Sequence, residues 1–218
     1  VWRHLPDLTQ DDRTLRRQRL RLGTGDLVRT DSGLWLTSPV RTLLDCAELL
    51  TLEAAVCAVD DALHRKLVST EELAARVRTR SGKPGVVRFA SVVSLADGRA
   101  EAPSETLTRL LLTPVLPDLE PQVQLFDDRG RLVARFDLGD RARRLAVESD
   151  GKAAHSGAAM VAKDRRRDDR TELYGWWTER VTWFDVRRLR EQTVARVLRR
   201  AHLLDHDTVP GRLTRTRT

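Results

Sequence analysis

The sequence has few cysteines, few lysines and no long apolar run. Its two cysteines, Cys46 and Cys57, lie in apolar helical patterns, and no Cys-x-x-Cys pair exists. Free buried thiols are typical of that setting, so a zinc site built from cysteine and histidine is not expected. The lack of a membrane-length apolar run and of a signal-peptide pattern predicts a cytoplasmic protein with no membrane partner.

Positive charge comes almost entirely from arginine. The net charge is +7, and of 39 basic residues the lysines are only Lys66, Lys83, Lys152 and Lys163. With 40% hydrophobic and 33% charged residues, the 218-residue chain is expected to build a core rather than to be disordered. A basic balance favours polyanionic partners, and the forked guanidinium suits phosphate, although codon bias alone can also enrich arginine.

Turn and helix signals divide the chain into two units and a tail. Residues 1–98 are predicted to contain a hairpin around Asp31-Ser32-Gly33 and then a helical bundle, with one helix opening at the capping box Ser69-x-x-Glu72. Residues 99–204 form the second unit. Residues 205–218, rich in threonine and arginine, are predicted to be a disordered tail.

The second unit is predicted to have an α+β fold, with a mixed sheet flanked by helices. The pattern predicts helices and strands in the order α-β-β-β-α-β-α: a helix from Ser104, strands at Gln122–Phe126, Arg131–Leu138 and Arg144–Glu148, a helix over about 158–174, a strand at Trp176–Phe184 and a helix over about Asp185–Leu203. Alternation along the last strand predicts that at least two of Trp176, Trp177 and Trp183 are core residues.

Three acids follow or end the predicted strands. Hairpin pairing of the second and third strands sets Asp137 beside Glu148, and Asp150 comes two residues later. Carboxylates gathered at one strand end hold Mg²⁺ or Mn²⁺ with vacant positions for water and phosphate, as phosphodiester hydrolysis requires. Acids at strand ends are also common in solvated turns, which is the alternative interpretation.

Basic residues near these acids are candidates for phosphate binding or proton transfer. His155 is a candidate general base, or else a surface residue after a turn. Lys152 either contacts the scissile phosphate or is simply exposed. On the charged helix that follows, the candidate nucleic-acid contacts are Arg165, Arg166 and Arg170, whereas pairing with nearby aspartates would make this helix a solvated face.

These residues together resemble the very-short-patch-repair endonuclease group. The similarity is carried by Glu105, Asp137, Glu148-x-Asp150-Gly-x-x-x-His155, the Lys163–Asp168 helix and Tyr174-Gly175-Trp176, in this order over about residues 101–200. The resemblance implies a restriction-endonuclease-like fold of the PD-(D/E)XK superfamily. It also implies that Asp137 and Glu148 bind the metal, that Asp150 and His155 are active-site partners, and that Glu105 is an outer acid.

Two features depart from that pattern. Gly139-Asp140 replaces the usual aromatic-proline pair, and Asp150 stands where the broader nuclease pattern has a lysine. The chain resembles most a large endonuclease-like branch of this group that has an E-x-D-G turn, and that branch shares the second departure.

The upstream unit is similar to the helical domain of AbiEi-type antitoxins. The similarity lies in Leu36-Thr37-Ser38-Pro39-x-Arg41-Thr42-Leu43-Leu44-Asp45 and Ala58-x-Asp60-x-Ala62-Leu63. Arg41 and Asp45 are expected to form an i,i+4 pair. We therefore expect a DNA endonuclease or, alternatively, a non-catalytic DNA-binding regulator or an antitoxin of a bacterial type IV toxin–antitoxin system. A cognate toxin is then a possible protein partner.

Overall fold

The computed structural model describes residues 22–82, 85–150 and 168–207. No helix within these ranges is long and apolar enough to cross a membrane. The tail predicted at 205–218 begins inside a helix that runs to Asp207, so its first three residues are helical, and 208–218 lie outside the described residues.

The first unit contains the predicted hairpin and four helices. Strand β1 (Leu27–Arg29) pairs antiparallel with β2 (Trp35–Thr37), which confirms the hairpin. The helices are α1 (Pro39–Leu49), α2 (Leu52–His64), α3 (Thr70–Thr79) and α4 (Val86–Leu95). The capping box of Ser69 and Glu72 is formed at the start of α3. At the start of α1, Pro39 occupies the first helical position, and the side chain of Ser38 makes no capping hydrogen bond.

A buried carboxylate ties the hairpin to the helices. Asp26 is 3% exposed and accepts hydrogen bonds from Gly23 N (2.8 Å), from Arg41 Nη1 (3.2 Å) and from Arg76. Burial alone would raise its pKa, but the Gly23 amide and the two guanidiniums outweigh burial and lower the pKa. The predicted Arg41–Asp45 pair is present as well, so Arg41 joins two carboxylates rather than one.

The second unit is a mixed α+β structure, as predicted. Its elements are α5 (Pro103–Leu112), β3 (Glu120–Phe126), β4 (Leu132–Asp140), β5 (Leu145–Asp150), a helix α6 described over 168–172, β6 (Trp177–Thr182), α7 (Trp183–Arg188) and α8 (Arg190–Asp207). The sheet order is β3-β4-β5-β6. The first three strands pair antiparallel, and β6 is parallel to β5.

The predictions for the last strand and helix were wrong in detail. The strand ends at Thr182, because Thr182 caps a new helix: its Oγ1 accepts from Asp185 N (3.2 Å) and its own amide donates to Asp185 Oδ2 (2.8 Å). Trp183 therefore begins α7 instead of continuing the alternation. The predicted single helix is divided into α7 and α8, which meet at Leu189.

The expectation for the tryptophans fails for the same reason. Trp176 is 7% exposed and stacks on Phe136 with ring centroids 4.7 Å apart, whereas Trp177 is 36% and Trp183 is 42% exposed. One of the three is a core residue, not two. The exposed aromatic side chains thus lie at the two ends of β6.

Helix α5 packs against the sheet and also against α2. Leu107, Leu111 and Leu112 of α5 form one apolar cluster with residues of β4, β5, β6, α7 and α8. On its other side, the Asp60 carboxylate of α2 accepts from Asp97 N (2.7 Å), Thr106 Oγ1 (2.8 Å) and Arg109 Nη2 (2.7 Å). Arg109 also donates to Leu95 O at 2.7 Å. The two predicted units therefore meet at a buried polar network.

Candidate functional site

The strands β4 and β5 bring two of the predicted acids together. The β4–β5 pairing ends at Leu138 and Val147, and Asp137 and Glu148 are the next residues beyond this last pair. The Asp137 side chain reaches across to β5, where its Oδ2 accepts a hydrogen bond from Ser149 N at 2.7 Å. The Asp137 carboxylate thus lies against β5 at the residue that follows Glu148, as the predicted sharing of one cation by the two acids requires.

Helix α5 adds a third carboxylate. Glu105 is 8% exposed, and its Oε2 accepts from Glu101 N (3.0 Å) and from Gln122 Nε2 (2.9 Å). Burial raises the pKa of Glu105, and the negative charge of Asp137 raises it further, against the opposing effect of the two hydrogen bonds. Glu105 thus lies within electrostatic reach of Asp137. Perturbation of this kind is enriched at functional sites.

Two residues of this site were missed by sequence reasoning. Gln122 has φ of +56°, an uncommon conformation for a residue other than glycine, and its Oε1 is buried without a hydrogen-bond partner among the described residues. Arg135 donates two hydrogen bonds to Glu101, at 2.7 and 2.8 Å. The bond to Glu101 raises the pKa of Arg135 most, and the charges of Glu105 and Asp137 add to it.

A sequence signal existed for Arg135 but not for Gln122. Arg135 lies two residues before Asp137 on one strand, and this spacing predicts that the two side chains share a face. The left-handed backbone of Gln122 carries no comparable signal.

On the other side of Glu148, β6 supplies an arginine. Parallel pairing sets Glu148 opposite Arg180 and Asp150 opposite Thr182. Arg180 holds Asp168 of α6 with two hydrogen bonds of 2.6 and 2.9 Å. Asp150 is exposed at the end of its strand. The acids therefore have cationic neighbours on both sides, which lowers the cost of gathering their charges.

Four of the predicted contacts, His155, Lys152, Arg165 and Arg166, lie outside the described residues. Arg170 is described and is exposed on α6. Their roles in catalysis or nucleic-acid binding stay predictions.

The residues present fit a hard divalent cation held by two carboxylates. In the ranges that the structure describes, no group of three or more histidine, cysteine, aspartate and glutamate side chains is arranged to hold a metal ion. The donor set that the sequence predicts is the pair Asp137 and Glu148. Mg²⁺ commonly binds through one or two carboxylates and completes its octahedron with waters and substrate phosphate oxygens, so a pair is sufficient.

Replacing Glu105 by glutamine is expected to stabilise the protein at neutral pH. A carboxyl whose pKa is raised by folding binds protons more tightly in the folded state, so stability falls as pH rises from the unfolded pKa through the folded pKa. Glu105→Gln removes the buried charge and keeps an oxygen for Glu101 N and Gln122. Thermal unfolding should show a higher Tm than wild type at pH 7.5 and an equal Tm well below pH 4. A higher wild-type Tm at pH 7.5 would contradict this electrostatic account.

Comparison with known proteins finds relatives but no function. The chain is 29% identical over 171 residues to "Uncharacterized protein Rv2248" of Mycobacterium tuberculosis strain H37Rv and, equally, to "Uncharacterized protein MT2308" of strain CDC 1551. The match covers 77% of this chain and 62% of each relative, so the chain spans less than two thirds of their length. No protein-family profile and no solved structure matches it.

Proposed function

We propose that this chain binds nucleic acid and that its second unit is a metal-dependent endonuclease domain that hydrolyses DNA phosphodiester bonds. The observation that carries the proposal is the position of the Asp137 carboxylate, which accepts a hydrogen bond from Ser149 N of β5 and adds to the effect of burial in raising the pKa of Glu105 on α5. A buried carboxyl perturbed by a second carboxylate supports a functional site more than a solvated turn.

The topology supports a restriction-endonuclease-like fold for this unit. A helix, three antiparallel strands, a second helix and a strand parallel to the third occur in that order in α5, β3, β4, β5, α6 and β6. The candidate metal ligands lie on the two central strands, β4 and β5. This is the arrangement that the resemblance to very-short-patch-repair endonucleases implies. The net charge of +7 suits a polyanionic substrate.

In the proposed mechanism, Asp137 and Glu148 hold Mg²⁺ or Mn²⁺. When bound, such an ion lowers the pKa of a coordinated water and stabilises negative charge on the phosphate. Glu105, whose Oε2 accepts hydrogen bonds from Glu101 N and Gln122 Nε2, is the proposed outer acid beside Asp137. Arg135 places positive charge beside the acids. Asp150 and His155 are the proposed partners for orienting or deprotonating the attacking water.

The proposal predicts metal-dependent cleavage. Purified protein should nick supercoiled plasmid or cut circular single-stranded DNA in Mg²⁺ or Mn²⁺, and an excess of EDTA should stop the reaction because the two carboxylates alone do not activate water. Gel electrophoresis of a time course measures both rates. Cleavage that persists unchanged in EDTA would contradict the mechanism.

A non-catalytic DNA-binding regulator, or the antitoxin of a type IV system, is the second candidate. It is favoured by Asp150 at the position where the broader nuclease pattern has a lysine. This function would leave salt-dependent DNA binding intact while no metal supports cleavage of any DNA or RNA form.

A further inference from the structure

An exposed patch of aromatic and basic side chains follows directly after β6. On α7, Trp183 is 42% and Phe184 is 58% exposed, and Arg187 and Arg188 are exposed as well. We call these four residues the aromatic–arginine surface. They line a cleft of about 460 Å³. Contiguous exposed aromatic groups are uncommon on a soluble domain and typically mark a binding site.

The helix that carries this surface is firmly anchored. Val186 is 1% exposed in the core of the second unit, and Asp185 completes the capping box with Thr182. The remaining four positions therefore point outward as two i,i+4 pairs, Trp183 with Arg187 and Phe184 with Arg188. The Arg187 guanidinium lies 5.7 Å from the Trp183 ring centre, near the outer limit of a cation–π contact.

The aromatic–arginine surface follows the C-terminal end of β6, beside the C-terminal end of β5 that carries Glu148 and Asp150. Parallel pairing sets Asp150 opposite Thr182, the residue before Trp183, and Glu148 opposite Arg180. With a rise of about 3.3 Å per residue and neighbouring strands about 4.8 Å apart, Trp183 lies on the order of 10 Å from Glu148. One nucleic-acid strand can therefore contact both.

The chemistry of the surface fits an unpaired base better than a duplex. Bases inside a duplex cover one another's faces, so an aromatic ring stacks readily only on bases of a single strand. Arginines one helical turn away supply positive charge for the flanking phosphates. We propose that the aromatic–arginine surface binds single-stranded DNA by stacking bases on Trp183 and Phe184. This proposal rests on the nucleic-acid function above and assigns its preferred substrate form.

A second tryptophan on β6 provides a matched control. Trp177 lies at the other end of the strand and is 36% exposed, but the Arg200 guanidinium covers its ring at 3.9 Å. Arg200 is in turn held by Glu179 at 3.2 Å. One face of this ring is thus occupied within the protein, so Trp177 is not expected to stack on a base.

The test measures binding in EDTA, so that cleavage plays no part. Fluorescence anisotropy would compare a labelled 20-nucleotide oligo-dT, an abasic strand with the same number of phosphates and a duplex of the same length. Trp183→Ala with Phe184→Ala should weaken oligo-dT binding by roughly tenfold or more, in line with the usual loss per stacked base. It should leave abasic and duplex binding within about twofold. Trp177→Ala should leave all three unchanged within the same margin.

The arginines give a separate signature. Arg187→Gln with Arg188→Gln should weaken binding of all three probes and reduce the salt slope for oligo-dT by about 0.7 per lost phosphate contact. Trp183→Leu with Phe184→Leu keeps apolar bulk and removes the aromatic faces, so it should reproduce the loss even where the alanine variant unfolds.

Three outcomes would overturn the proposal in different ways. If wild type binds oligo-dT and both aromatic variants bind it equally well, the surface is not the stacking site although the nucleic-acid function stands. If wild type binds no probe, both proposals fail. If the aromatic variants convert a dimer to a monomer in sedimentation while oligo-dT affinity is unchanged, the surface contacts a second copy of the chain.

Discussion

Replacing Asp137 by asparagine is expected to abolish metal-dependent DNA cleavage while DNA binding in EDTA is preserved or tightened. Asparagine keeps an oxygen that can accept from Ser149 N, as Asp137 Oδ2 does at 2.7 Å, so the β4–β5 contact survives. It removes one of two charged metal ligands, and loss of several kcal/mol of transition-state stabilisation corresponds to roughly 10²- to 10⁴-fold in rate. Without metal, the lost carboxylate no longer repels a phosphate.

A matched control for this variant is Asp128→Asn. Asp128 is exposed in the turn between β3 and β4, at the far end of the hairpin that carries Asp137. The Asp128→Asn substitution removes one negative charge, as Asp137→Asn does, and is expected to leave the cleavage rate within about twofold of wild type. Equal rates for Asp137→Asn and wild type would show that cleavage comes from a contaminant or from another site.

The strands of the second unit could be predicted because their sequence signals are local. Turn signals at Asp128-Arg129-Gly130 and at Gly139-Asp140 divide the predicted strands, and hairpin pairing then predicts Asp137 beside Glu148. In the structure β4 continues through Asp140, so the second turn lies after that residue. The predicted strand ends differ from the structure by at most two residues. The coarse α+β class follows from this order of elements.

The last strand was predicted wrongly because two local signals compete after Val181. Continued alternation through Trp183 favours a strand, whereas Thr182 and Asp185 form a capping box that favours a helix start. The hydrogen bonds of the cap decide between them, and the aromatic residues leave the sheet. A capping-box search at this position would have found the helix, and with it the exposed surface of α7.

Contacts between distant elements had no sequence signal at all. The bond from Gln122 to Glu105 joins β3 to α5, and it depends on a left-handed backbone at Gln122. The Asp60–Arg109 pair joins residues separated by 49 positions. Such pairs become visible only when the packing of α2 against α5 is known.

The hydrogen bonds of Asp60 also connect α2 of the first unit to α5, the helix that carries Glu105. Thr106, which donates to Asp60, follows Glu105 directly on α5, and Arg109 lies one turn further along the same helix. Burial raises the pKa of Asp60 although Asp97 N, Thr106 and Arg109 all donate to its carboxylate. The buried carboxylate of Asp60 is therefore stabilised by its three hydrogen-bond donors, and α5 supplies two of them.

Replacing Asp60 by alanine is therefore expected to destabilise the protein by about 3–5 kcal/mol, because the guanidinium of Arg109, 8% exposed, would be left buried without its carboxylate. Urea unfolding measures the loss.

The neighbouring residue provides the control: Asp61 is paired with Arg65 at the surface, with side chains 58% and 62% exposed, so Asp61→Ala should cost less than about 1 kcal/mol. Asp60→Leu combined with Arg109→Met removes both charges and should recover most of the loss, since a well-packed apolar pair can replace a buried ion pair. If Asp60→Ala and Asp61→Ala unfold at the same urea concentration, the network does not hold α2 and α5 together.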